Sequence, residues 1–176
     1  MNKFTELLNG LTWLNEKIGK IIIYLVWIGM VVIAWEVISR YAFNAPTVWA
    51  SGYTQRIFAV YFIMIGAYAL IHNGHVRVDI FINQNKFRRF HALNMINMLA
   101  LSAWMLAITY ESWFYFIDAW DFNETDDSAL GHAMWPINLS LLIGTVLMLV
   151  QGVVFFLQSL LAFIGNYPVP VLEDEL

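Results

Sequence analysis

Residues 21–38 read Ile-Ile-Ile-Tyr-Leu-Val-Trp-Ile-Gly-Met-Val-Val-Ile-Ala-Trp-Glu-Val-Ile, with Glu36 as the one charged side chain. At about 1.5 Å per helical residue this run covers about 27 Å, close to the thickness of a bilayer's hydrocarbon core. A lone strand would leave its backbone groups unsatisfied there, so the run is expected to be a helix. Three further stretches qualify. One covers about residues 52–71, where the weakly polar Ser51 to Gln55 extends the apolar core Ile57 to Ile71, and the others cover about 90–117 and 133–164. The last two exceed the bilayer thickness, which predicts tilting, bending or protrusion. The expected fold is therefore all-α: an integral membrane protein with four transmembrane helices over residues 21–165, plus an N-terminal amphipathic interfacial helix over 1–20 and an acidic tail over 166–176.

Composition agrees with that reading. Of 176 residues, 60% are hydrophobic and 12% charged, with a mean hydropathy of +0.64. A soluble domain carries about twice that share of charge, and a disordered chain lacks such aromatic content. The formal net charge of −4 argues against a nucleic-acid partner, which calls for clustered Lys and Arg on an accessible face. The absence of Cys removes disulfides, thiolate metal sites, iron–sulfur clusters and a Cys nucleophile together.

The first twenty residues do not read as a cleaved signal, because Glu6 and Glu16 interrupt any apolar core. Phe4, Leu7, Leu8, Leu11, Leu14 and Ile18 recur at spacings of three and four, with Lys3, Glu6, Glu16, Lys17 and Lys20 mostly elsewhere on the wheel. That pattern predicts a helix lying on the membrane surface rather than a frayed tail. Orientation follows from the basic residues. Lys3, Lys17, Lys20, Arg77, Lys86, Arg88 and Arg89 fall on one side, with only Arg40 and Arg56 on the other. Both termini are thus expected in the cytoplasm, and the acidic segment 118–131 outside.

Candidate chemistry is sparse. His72, His75, His91 and His132 lie near proposed span ends rather than at the membrane midplane, which fits neither a haem between helices nor a zinc site. No nucleophile with a neighbouring base and no phosphate loop stands out, so no enzyme and no cofactor is expected. Glu36 has Arg40 one turn on, the spacing of a structural ion pair, whereas Glu111 has no local partner. Ala59, Gly66 and Ala69 give the second span a small-residue face, for packing within the chain or against another helix. Four spans without repeated halves do not resemble a self-sufficient transporter. They suit a subunit of something larger.

The stretch Arg40-Tyr41-Ala42-Phe43-Asn44-Ala45-Pro46-Thr47-Val48-Trp49, followed by Gly66-Ala67 and then Gly74-His75-Val76-Arg77-Val78-Asp79, resembles the small permease (DctQ-like) subunit of tripartite ATP-independent periplasmic (TRAP) transporters. Ala129-Leu130-Gly131 and Met134-Trp135-Pro136 add a weaker echo. The chain departs from the family's common pattern at Ser51-Gly52, where an acidic pair is usual, and at Leu142, where a second Pro is frequent.

The resemblance implies a bacterial inner-membrane scaffold with three kinds of partner: a large (M-type) permease subunit, a periplasmic substrate-binding protein and membrane lipids. It also implies import of organic acids or similar small solutes, usually on a sodium gradient. Within that frame Arg40 would pair with Glu36, Asn44 and Pro46 would shape the turn, and Trp49 would anchor it at headgroup level. His75 belongs to the second motif. Arg77 and Asp79 would tie their loop to neighbouring backbone or to the large subunit. The rival reading is a membrane anchor or accessory subunit of a redox or other membrane complex, which a Soret band would reveal in the haem case.

Overall fold

Long apolar runs satisfy their backbone hydrogen bonds internally only as helices, and helices account for most of the described residues in the computed structural model. It describes residues 3–72, 74, 87–128 and 130–164, with 87–91 as backbone only. In chain order these are α1 (Lys3–Ile22), α2 (Tyr24–Ala42), α3 (Ala50–Met64), α4 (Gly66–Ile71), α5 (Phe87–Asp121) and α6 (Trp135–Ile164). The protein is an all-α integral membrane protein, and four helical stretches, Lys3–Ala42, Ala50–Ile71, Ala92–Asp121 and Trp135–Ile164, are long and apolar enough to cross a membrane. Outside the helices, the described residues include one isolated bridge, between Thr125 and Ala133.

Two of these stretches are interrupted. At Ile23, between α1 and α2, the hydrogen bond tightens to the i−3 pattern from Val26 N–H to the Ile23 carbonyl. At Ile65 the second span breaks into α3 and α4, although Ile65 still donates to Tyr61 and Ala69 to Ile65. The helices also overrun the apolar limits set by hydropathy. The first span continues through Ser39-Arg40-Tyr41-Ala42, and α5 runs past Ile117 to Asp121, with Ala119 fully buried. Polar residues extend a helix once its nucleus exists, because propagation adds one hydrogen bond per residue fixed.

The spans stand in a row. Helix α2 packs on α3, α3 on α6, and α6 on α5, while α5 touches α6 and no other helix among the described residues. Only α6 is well enclosed. A third of its most apolar window is buried, against 6–11% for the other three. Its covered positions include Ser140, Gly144, Thr145, Gln151, Gly152 and Ser159, small or uncharged polar residues of the kind that let helices approach closely in lipid. A Cβ at Gly152 would stand 2.9 Å from the Ser102 hydroxyl of α5, and one at Gly144 would stand 2.8 Å from the Ile63 carbonyl oxygen of α3.

Helix α1 crosses this row and packs on α4 and α6. Its apolar side is divided. Leu8, Asn15 and Gly19 are buried against the spans, whereas Phe4, Leu7, Leu14 and Ile21 are exposed. On its polar side Lys20 pairs with Glu16 at 2.5 Å, and the Lys17 ammonium lies over the Trp13 ring.

Candidate partner interface and its anchoring clusters

One end of the row is organised by two carboxylates. Glu36, in the last turns of α2, accepts from Arg40 Nη2 at 2.5 Å and Nε at 3.0 Å. Its other oxygen accepts from the Thr47 backbone N–H at 3.1 Å and from the Thr47 hydroxyl. The turn between α2 and α3 is thereby tied to the helix it leaves. Asn44 makes this possible by taking a left-handed conformation (φ 49°), which Asn tolerates better than most residues, so that Ala45 N–H donates to the Ser39 carbonyl at 2.9 Å. Pro46 and Trp49 lie exposed on the same turn, and the Trp49 ring meets Tyr53 edge-on at 6.1 Å.

Asp126 is the second organiser. It accepts from Arg56 Nη2 of α3 at 2.6 Å, from the Ser128 hydroxyl at 2.6 Å and from His132 N–H at 2.8 Å. Arg56 also donates to the Ala133 and His132 carbonyls, and the His132 ring packs edge-on against Tyr53 at 4.9 Å. The α5–α6 connection is thus folded onto α3. The Ser128 hydroxyl first, and then Arg56, hold the Asp126 carboxyl well below the usual carboxylate range, outweighing its partial desolvation.

A group whose folded-state pKa is depressed contributes stability that is present above its unfolded value near pH 4. That contribution is lost progressively as pH falls below that value toward the native pKa. The wild-type thermal transition in detergent is therefore expected to fall between pH 5 and about pH 3. Asp126→Asn should start a few degrees lower at pH 7 and show a flatter acid response. Equal acid responses for the two proteins would remove Asp126 as the cause.

The opposite end is organised by uncharged groups. Asn15 Nδ2 donates to Gln151 Oε1 at 2.9 Å and lies 3.3 Å from the Leu147 carbonyl, while Gln151 Nε2 donates to Thr12 Oγ1 at 3.3 Å. Asn15 is 3% exposed and Gln151 0%. Farther along, Asn94 on α5 donates to the Ser159 hydroxyl on α6 at 2.6 Å.

Of the residues singled out in the sequence, Glu36, Arg40, Asn44, Pro46 and Trp49 meet around one turn. Gly66 faces Met148 of α6, where a Cβ would stand 3.1 Å from the sulfur. Ala69 is half-buried and its carbonyl accepts from Gly74 N–H, and Ala59 is half-buried on α3. His75, Arg77 and Asp79 lie outside the described residues. Sequence reasoning missed Thr47, the Arg56–Asp126 pair and the Asn15–Gln151 pair. Two signals pointed to the last: a Gln deep within an apolar run, and an Asn on the apolar side of the α1 wheel.

What the row leaves open is extensive. Helix α2 exposes Tyr24, Trp27, Ile28, Val31, Trp35 and Ile38, and α5 exposes most of the surface turned away from α6. Among the described residues no group of three or more His, Cys, Asp or Glu is placed to hold a metal. The geometry is that of a thin, cross-braced panel whose polar groups are committed mainly to joining its own helices. In comparisons with known proteins, residues 10–162 match the model of the family described as tripartite ATP-independent periplasmic transporters, DctQ component. None of the curated proteins compared matches the chain.

Proposed function

The chain belongs to the DctQ component family of tripartite ATP-independent periplasmic transporters, and from that membership we propose that it is the non-catalytic scaffold of such a transporter. In this reading it sits in the bacterial inner membrane with both termini in the cytoplasm, α1 lying along the membrane surface. It holds a large permease subunit that takes organic acids or similar small solutes from a periplasmic binding protein and imports them on an ion gradient, usually sodium.

The observation that carries the reading is the open row of spans. A row one helix thick has no interior in which to enclose a solute, but it offers long faces to a second body. The bracing at both of its ends favours a part that stays still while its partner moves. Glu36, the carboxylate within α2, supports the same view, because both of its oxygens are occupied by Arg40 and Thr47.

The test is solute uptake by the reconstituted complex, with sodium and proton gradients varied separately. Uptake of an organic-acid panel should require this chain, the large subunit and the binding protein together. Glu36→Gln should lower the yield or stability of the complex and leave the ion-to-solute ratio unchanged. A changed ratio would place this chain in the transport mechanism. The same preparations give orientation, since the chain lacks Cys: in spheroplasts an impermeant thiol reagent should label Asp127→Cys and spare Gly10→Cys.

A further inference from the structure

Met98, Ser112 and Ala119 mark the side of α5 that α6 covers. On the rest of the helix Ala100, Ala103, Ala107 and Glu111 are all exposed, flanked by Tyr110 at 63% and Phe114 at 45%. Six residues separate Glu111 from Ile117, where the apolar run of α5 ends, so Glu111 sits about 9 Å inside that run. No described residue pairs with it through a salt bridge or side-chain hydrogen bond. An ionisable side chain facing lipid is strongly unfavourable and is normally paired. Glu111 therefore calls for a partner that the described residues do not supply.

The surroundings of Glu111 say what kind. The exposed face of α2 is built of bulky Trp, Tyr, Ile and Val and carries no free ionisable group, as a lipid-facing surface should. The α5 face instead offers Ala at three positions, where another backbone can come close, beside a single uncompensated negative charge. A second copy of this chain does not fit. A two-fold axis along the membrane normal would bring two Glu111 carboxylates to the same depth, where like charges repel.

We propose that this face of α5 seats a membrane helix of the large permease subunit, which presents a Lys or Arg to Glu111 at that depth. The inference rests on the transporter reading above and names the contact through which the scaffold would hold its partner. Ala103 and Ala107 set the close approach, and Glu111 sets register and partner choice, because a misaligned helix would leave both charges unpaired in lipid.

The test uses the co-expressed complex in native membranes. A maleimide benzophenone is attached to single Cys residues placed at Ala103, Ala107 or Phe114, with Trp35 on α2 as the control. Light should join the large subunit to the three α5 sites and not to Trp35. Glu111→Lys should reduce the large subunit recovered with the chain by about tenfold or more, and Glu111→Gln by several-fold, as expected when a buried pair loses one partner. Adducts between two copies of this chain, adducts from Trp35 alone, or full recovery with Glu111→Lys would each overturn the proposal. If the wild-type chain recovers no large subunit at all, the transporter reading falls, and the proposal with it. If it recovers the subunit while the α5 sites stay unlinked, only the α5 proposal falls.

Discussion

Gly144→Leu is expected to split the row of helices. A Cβ at this position would stand 2.7 Å from Ile63 Cγ2, 2.8 Å from the Ile63 carbonyl oxygen and 3.1 Å from its carbonyl carbon. The first clash can be relieved by a rotamer change, but the other two are with backbone, two residues before the break at Ile65. Helix α3 must therefore move bodily away from α6. Overpacking of this kind costs about 1–3 kcal/mol for a small addition, so even Gly144→Ala should destabilise, although Ala favours a helix by about 1 kcal/mol over Gly. At roughly 2–4 °C per kcal/mol, the Ala variant should melt several degrees lower, and the Leu variant should fail to purify as a single species. Gly10 is the control. Nothing lies within 4 Å of a Cβ there, so Gly10→Ala should gain about 0.5–1 kcal/mol from helix propensity alone. Thermal unfolding in one detergent compares all three, and a Gly144→Leu protein that melts with wild type would show that α3 and α6 do not approach closely at this point.

This close approach is a feature the sequence does not display. Hydropathy located the spans because crossing a bilayer demands about twenty apolar residues in succession, whatever their neighbours. It carries no information about which span stands beside which, so the order α2, α3, α6, α5 is set by side-chain packing that hydropathy does not record. The Glu36–Arg40 pair was legible because four residues make one turn. Thr47, the other partner of Glu36, was not, since it reaches the carboxylate only after a left-handed Asn44 has reversed the chain. The break at Ile65 was hidden for a related reason. No Pro marks it, and it lies where α3 meets Gly144 on a helix eighty residues away. Arg56 and Asp126 were each visible as charges, but seventy residues separate them, and a charge count assigns no partner. The N-terminal periodicity predicted an amphipathic helix. It did not show that part of the apolar side belongs to protein contacts, which the burial of Leu8, Asn15 and Gly19 discloses.

That division of the stripe leads to the second large effect, which concerns how α1 is held. Asn15 and Gln151 lie 136 residues apart and are both almost fully buried, and the amide of one is the partner of the other. Replacing one side alone strands its mate in an apolar setting, at a cost of about 1–3 kcal/mol. Gln151→Leu and Asn15→Leu should each loosen α1, speeding amide exchange over residues 8–19 by up to about a hundredfold if that cost falls on local opening, at 1.4 kcal/mol per tenfold. The double variant should behave better than the two effects together predict, because removing both amides leaves neither stranded, keeps the Thr12 hydroxyl bonded to the Leu8 carbonyl and supplies two apolar side chains to the same contact. A double-mutant cycle should therefore give a coupling of about 1 kcal/mol, within the range found for hydrogen bonds between membrane helices. Additive effects would mean that the two amides contribute independently, and α1 would then be held by Leu8 and by the contact of Gly19 with Tyr68. Non-additive effects would identify the pair as a register pin. An all-apolar seat would let α1 slide along α4 and α6 at little cost, whereas two amides bonded to each other, with Gln151 also donating to Thr12, fix a single position and join α1 rigidly to the spans.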